Sequence, residues 1–181
     1  MAERACQYSR AMRLFPGKVS IIAREICDQL TRDKDIEVSA PDEVCLDIEA
    51  VLKEYLRLDR ELTDRAKDAL ETRKLSYSAF GRIKKQVAEE RGLGVGDDSI
   101  QWIADQIIGC LMHSANVEEV FVEDHDLRRK MATVLRKHMA VDEEVDRETR
   151  EKIKNLEEGT RTWDIEYQKV MEQIKKKRGL T

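Results

Sequence analysis

The chain repeats itself, and the repeat constrains what it can fold into more than any other feature. Val19, Ile22, Ala23, Ile26, Cys27 and Leu30 set out an apolar stripe, and Ile100, Ile103, Ala104, Ile107, Ile108 and Leu111 reproduce it 81 residues later. A second stripe, Val44, Ile48, Val51, Leu52, Tyr55 and Leu56, recurs as Leu127, Met131, Val134, Leu135, His138 and Met139, now 83 residues on. Both stripes have the three-and-four spacing of one helix face. The halves also close alike, on Arg91-Gly92-Leu93 and Arg178-Gly179-Leu180. A repeat of this kind predicts two similar units that share a core, because a unit of about 80 residues buries little by itself.

Charge and composition fit that picture. Charged residues make up 39% of the 181 and aromatics 5%, the balance of a helical protein with a large surface. A net charge of −4 argues against general nucleic-acid binding and leaves local basic patches to consider. No apolar run approaches the about 20 residues that span a membrane. Met1 to Lys18 lacks the apolar core of a secretion signal, and four scattered cysteines without a CxxC pair fit a reducing cytoplasm.

The expected organisation is a polar N-terminal tail (1–11), a first helical module (12–93), a hinge (94–99) and a second helical module (100–181). Met12 is a candidate start, since residues 1–11 have neither period nor counterpart. Within each module a helix comes first, from about Lys18 to Arg32 in the first copy. A short strand follows, Ile36-Glu37-Val38 or Val120-Phe121-Val122, the latter after an acidic turn of Asn116, Glu118 and Glu119. Each strand is too short to stand alone, so the two are expected to pair as a ribbon. Helix two should begin after Pro41-Asp42, with Asp42 as its cap, and after Asp124, and end near Leu58 and Val141. Asp59-Arg60-Glu61-Leu62 and Asp142-Glu143-Glu144-Val145 then read as matched acidic joints, with Thr63 and Asp146 capping a new helix. The last helix of each unit shows Phe80, Ile83 and Val87, or Tyr167, Val170 and Ile174, with Trp163 as an added anchor. Gly92 and Gly179 sit where left-handed helix stops belong, and the extra residues of the second copy gather near Glu157 to Thr160. The fold class is all-α: two tandem modules related by a pseudo-twofold, with a minor two-stranded β-ribbon.

The order of motifs resembles a bacterial family known as domain of unknown function number 507. Met12-Arg13-Leu14 leading to Val19 through Ala23 resembles its opening. Val51 through Leu56 followed by Asp59 through Leu62, and Val134 through Lys137 followed by Asp142 through Val145, resemble its middle. Thr162 through Tyr167 and the basic Lys175 through Gly179 resemble its end. The resemblance implies two tandem copies from Met12 to Leu180 and brings no activity or cofactor. Ser76-Tyr77 stands where the second copy has Trp163-Asp164, so a role needing that pair would belong to one copy.

Candidate chemistry is thin. Cys27 takes the place of Ile108 on a core stripe and reads as a small buried hydrophobe. Cys45 and Cys110 match Arg128 and Gln29, positions where the other copy tolerates solvent, and Cys6 lies in the tail. None has a convincing base beside it in sequence. His113 and His125 flank an acidic turn holding Glu118, Glu119, Glu123, Asp124 and Asp126, and His138 replaces Tyr55 on a core face. No metal-ligand spacing joins them, so a solvated acidic turn is expected and no metal or other cofactor is called for. Asp59 with Glu61, and Asp142 with Glu144, are carboxylate pairs that could divide acid and base duties, but a joint role asks for less. With Trp163 and Asp164 they form a possible functional joint. Gly92-Leu93-Gly94-Val95-Gly96 follows a helix and lacks the ending of a phosphate loop.

The basic helix ends are the surface to watch: Arg82, Lys84, Lys85 and Arg91 on one helix, and Lys169, Lys175, Lys176, Lys177 and Arg178 on the other. Cations there stabilise the helix dipole, yet the first copy has Ala88-Glu89-Glu90 where the second has three lysines. The expected function is a non-catalytic cytoplasmic protein-interaction or adapter module. The alternative is a nucleic-acid or ribosome-associated protein that uses these cations. The sequence leaves the partner and the oligomeric state open.

Overall fold

A computed structural model describes residue 12 and residues 14–156 and 161–178, the side chains at 77, 140–143, 161, 163, 164 and 168 excepted. The order helix, strand, long helix, helix occurs twice: α1 (Val19–Arg32), β1 (Ile36–Val38), α2 (Pro41–Thr72), α3 (Phe80–Glu90), then α4 (Asp98–His113), β2 (Val117–Val120), α5 (Asp124–Lys152), α6 (Arg161–Lys177). The fold is all-α with one small antiparallel ribbon. The tail 1–11, Gly179 and the stretch Glu157 to Thr160 lie outside the described residues.

The periodic stripes become the core. Val19, Ile22, Ala23, Ile26, Cys27 and Leu30 of α1 are all buried, as are Ile100, Ile103, Ala104, Ile107, Ile108 and Leu111 of α4. Val44, Ile48, Leu52 and Tyr55 of α2 join Leu127, Met131, Leu135 and Met139 of α5 in the same cluster. Helix α1 packs on α2 and α5, and α4 packs on α5 and α2, so each half supplies a wall of the other's interior. Two satellite clusters lie apart from it. Ala66, Leu70 and Ile83 join α2 to α3, and Ile153 and Tyr167 join α5 to α6.

Helices α2 and α5 do not stop at the acidic joints. Each runs straight through, so no new helix begins at Thr63 or Asp146. The physical reason is in the sequence: the joints hold charge but no Gly or Pro, and Leu62 and Val145 keep the buried stripe in phase. Thr63 turns its hydroxyl back to the Asp59 carbonyl at 2.9 Å instead of capping anything. Nor does Asp42 cap α2. Pro41 opens the helix after Ala40, while Asp42 pairs with Arg24 at 2.8 Å.

The second strand begins earlier than its alternation predicts, at Val117 rather than Val120. Val117 N–H closes a turn on the Ser114 carbonyl at 3.3 Å, so the chain is already extended through Glu118 and Glu119. Ile36 faces Val120 and Glu37 faces Glu119, with a register shift before Val38 meets Val117.

Helix stops follow two recipes. Gly92, at φ +64°, ends α3 as expected. Lys34 and Lys74 take the same left-handed conformation after α1 and α2, at φ +59° and +52°, and the Asp35 and Leu75 amides close on the carbonyls of Leu30 and Leu70. Beyond Gly92 the link to α4 is pinned. Trp102 Nε1 donates to the Gly92 carbonyl at 2.9 Å and the Tyr55 hydroxyl to that of Gly94 at 3.3 Å. A Cβ on Gly94 would lie 2.4 Å from the Asp98 carbonyl oxygen.

Candidate functional site

The charged positions singled out by sequence fall along two seams between neighbouring helices. In the first half, Asp59 of α2 meets Lys84 of α3 at 2.7 Å, and Glu61 meets Arg91 at 3.6 Å and Arg57 of its own helix. In the second half, Arg178 reaches Glu144 at 3.1 Å and Glu148 at 2.8 Å on α5. Acidic joint and basic helix end are thus two sides of one brace, a pairing that reading each motif separately does not bring out. Lys169 pairs with Glu166 at 3.4 Å, and Lys175 stacks on the ring of Phe15 with Nζ 3.0 Å from its centroid. Arg82, Lys85, Lys176 and Lys177 are exposed and make no ion pair among the described residues. The side chains of Asp142, Trp163 and Asp164 lie outside the described residues.

A polar cluster lies between the halves, marked by no motif in the sequence. Glu25 of α1 takes Lys137 Nζ at 2.7 Å and His138 Nε2 at 2.7 Å, both from α5. The hydrogen bond from Lys137, helped by His138, holds the Glu25 carboxyl below the ordinary carboxylate range against some opposing burial. Nearby, Lys130 of α5 bridges Asp35 at 2.6 Å and Asp33 at 3.0 Å, which raises its own pKa and lowers that of Asp33. Asp35 is only 4% exposed, and Lys130 is the cation that lies against it. Asp47 accepts from Ser114 Oγ at 2.7 Å, again across the halves. The signal available in sequence was weak: a histidine on a core stripe and acids beside a helix stop, with partners about a hundred residues away. A third cluster belongs to the second half alone, where Asp146 accepts from Arg150 at 2.9 Å and from the Tyr167 hydroxyl.

The thiols are placed for packing. Cys27 lies beneath Pro41, and burial followed by its hydrogen bond with Cys45 pushes its pKa up to about 12. Cys45, expected where solvent is tolerated, is 4% exposed, because the first turn of α2 lies on Ala23 of α1. Cys110 is partly buried and its pKa is raised, first by burial and then by Asp47. Thiols held protonated in this way are poor nucleophiles. Cys6 lies outside the described residues. The histidines have separate partners: His113 Nδ1 donates to the Gly109 carbonyl at 2.7 Å, His125 lies 3.4 Å from Asp126, and His138 meets Glu25. Among the described residues no three His, Cys, Asp or Glu side chains are grouped to hold a metal ion.

Two shallow surface grooves accompany these clusters. One, of about 570 Å³, runs along the outer face of α1 past Ile21 and Arg24. The other, of about 510 Å³, follows β2 from Leu111 to Asp124 and contains Met112 and Phe121, 48% and 54% exposed. No described helix is long and apolar enough to cross a membrane.

A family model described as "Protein of unknown function (DUF507)" matches residues 12–180, and the chain belongs to that family. No curated protein matches it.

Proposed function

We propose that this DUF507 member is a non-catalytic protein-interaction or adapter module of the cytoplasm, its two halves tandem copies of one helical unit. The observation that carries the reading is the contrast between spent charge and unspent apolar surface. The clustered acids and bases brace helix against helix, whereas Met112 and Phe121 stand half exposed beside a groove. The shared order of elements and the matching buried stripes support the tandem relation. Cys27 and Cys45, neighbouring thiols left unbridged in the core, accord with a reducing compartment.

The test is crosslinking in cells followed by affinity capture, with and without nuclease. A defined protein partner that survives nuclease supports an adapter. Material lost on nuclease treatment and steeply dependent on salt overturns that reading in favour of a nucleic-acid or ribosome-associated role. Lys176, Lys177, Arg82 and Lys85 favour that second reading, because they are open to solvent and unbraced among the described residues. Replacing Lys176 and Lys177 by Gln discriminates: capture unchanged by the double variant removes these lysines from the interaction.

A further inference from the structure

We propose that the outer edge of β2 docks an extended, lysine- or arginine-bearing segment of a partner protein, which adds as a third strand. This rests on the protein-interaction reading above and names the chemistry of the partner.

The backbone supplies the first part. Phe121 N–H donates to the Asp35 carbonyl at 2.9 Å, which makes 121 and 35 a bonded position of the ladder. Bonded and non-bonded positions alternate in an antiparallel pair, so Val120, opposite Ile36, directs its N–H and C=O away from β1. A two-stranded ribbon therefore offers an edge on which a further strand can be templated. The groove along that edge holds the exposed side chains of Met112 and Phe121, which gives such a strand apolar surface to cover.

Charge selects the occupant. Glu118, Glu119, Glu123 and Asp124 line the groove; among the described residues no lysine or arginine lines it, and none of the four acids has an ion pair. Glu119 also faces Glu37 directly across the ribbon, and both are exposed. Like charges opposed on one face destabilise a strand pair. A cation laid across them removes that repulsion and can rest against the Phe121 ring. A second copy of this chain is a poor occupant, because β2 against β2 would bring the same acids together. Nucleic acid has the wrong sign.

The experiment uses the full chain, labelled for amide NMR, and a short synthetic peptide of alternating Lys with Val or Thr. Two controls accompany it, one with Glu for Lys and one with Pro for Val, which keeps the charge but cannot pair as a strand. The Lys peptide should shift amides 117–124 and slow exchange of the Val120 amide about tenfold, and both controls should fail. Glu118→Lys with Glu119→Lys, both at exposed sites, should keep or slightly raise the melting temperature, since a lysine at position 119 would face Glu37, and lose the peptide. Absence of shifts at 117–124, or equal binding of the Pro peptide, overturns the proposal. If capture in cells still yields a protein partner, only the docking proposal falls. If capture yields only nucleic acid, the adapter reading falls with it.

Discussion

The centre of the molecule and its two outer hairpins are held by different means. In the centre, side chains such as Ile22, Leu52, Ile107 and Leu135 are fully or almost fully buried, and both halves contribute to one cluster. In the hairpins, α2–α3 and α5–α6, a few buried residues are supplemented by ion pairs along the seam. Apolar burial is non-directional and is not weakened by ionic screening, whereas exposed ion pairs are screened and contribute little each. The difference teaches where cohesion lies. The halves share one core at the centre, and the hairpins are the parts expected to open at low cost.

The severest way to break the comparison is to separate the halves. Residues 12–93 and 94–181, expressed apart, should fail to fold alone or should re-associate on mixing, because each half's apolar stripes lose the wall supplied by the other. Cooperative melting of two non-interacting halves would refute a shared core. A gentler cut compares Leu52→Ala in the centre with Ile83→Ala in the first hairpin. The central change should cost about 4 kcal/mol and the peripheral one about 2, since a small cluster at the periphery relaxes around the gap more completely. Denaturant titrations giving equal losses would erase the distinction.

The cross-half polar cluster sharpens the same contrast through pH. Glu25 is held below its ordinary pKa by Lys137 first and by His138. A carboxyl depressed on folding contributes stability above its unfolded pKa, about 4.3, and that contribution disappears as pH falls through the lower folded value. Glu25→Gln should therefore lower the melting temperature at about pH 6 and converge with the parent protein only in acid, once pH has fallen through the lowered folded value. A difference that stays constant with pH would show that the cluster acts through packing alone. The smallest effect has the opposite sign. Lys74→Gly, at a left-handed helix stop, should raise stability by up to about 1 kcal/mol, because glycine meets no Cβ clash there. A loss would mean that the lysine stem contributes packing that outweighs its strain.

Much of this architecture was legible in advance because burial on a helix has a period. All six positions of the first stripe and their six counterparts are core, and the ribbon forms between the predicted neighbourhoods. What the sequence conceals is of another kind. Charge at Asp59–Glu61 looked like a joint, yet continuity was decided by Leu62 staying in phase. Lys34 and Lys74 carry no mark of left-handed backbone, since lysine rarely adopts it. The strand start at Val117 hid behind glutamates, which are poor strand formers but tolerable on an exposed face. Of the candidate site, the cations were visible and their partners were not. Pairing Lys130 with Asp35, or His138 with Glu25, is a fact of tertiary contact over 95 and 113 positions of chain.

The unbroken course of α2 has a mechanical meaning. At 32 residues it is a beam about 48 Å long, gripped at one end by the centre and free of it at the other. Tyr55 lies partway along, with its hydroxyl on the link that joins the halves. A load applied to the α3 hairpin cannot be absorbed by a hinge, because the helix has none. It is carried along the beam as tilt, toward the fulcrum where the two halves meet.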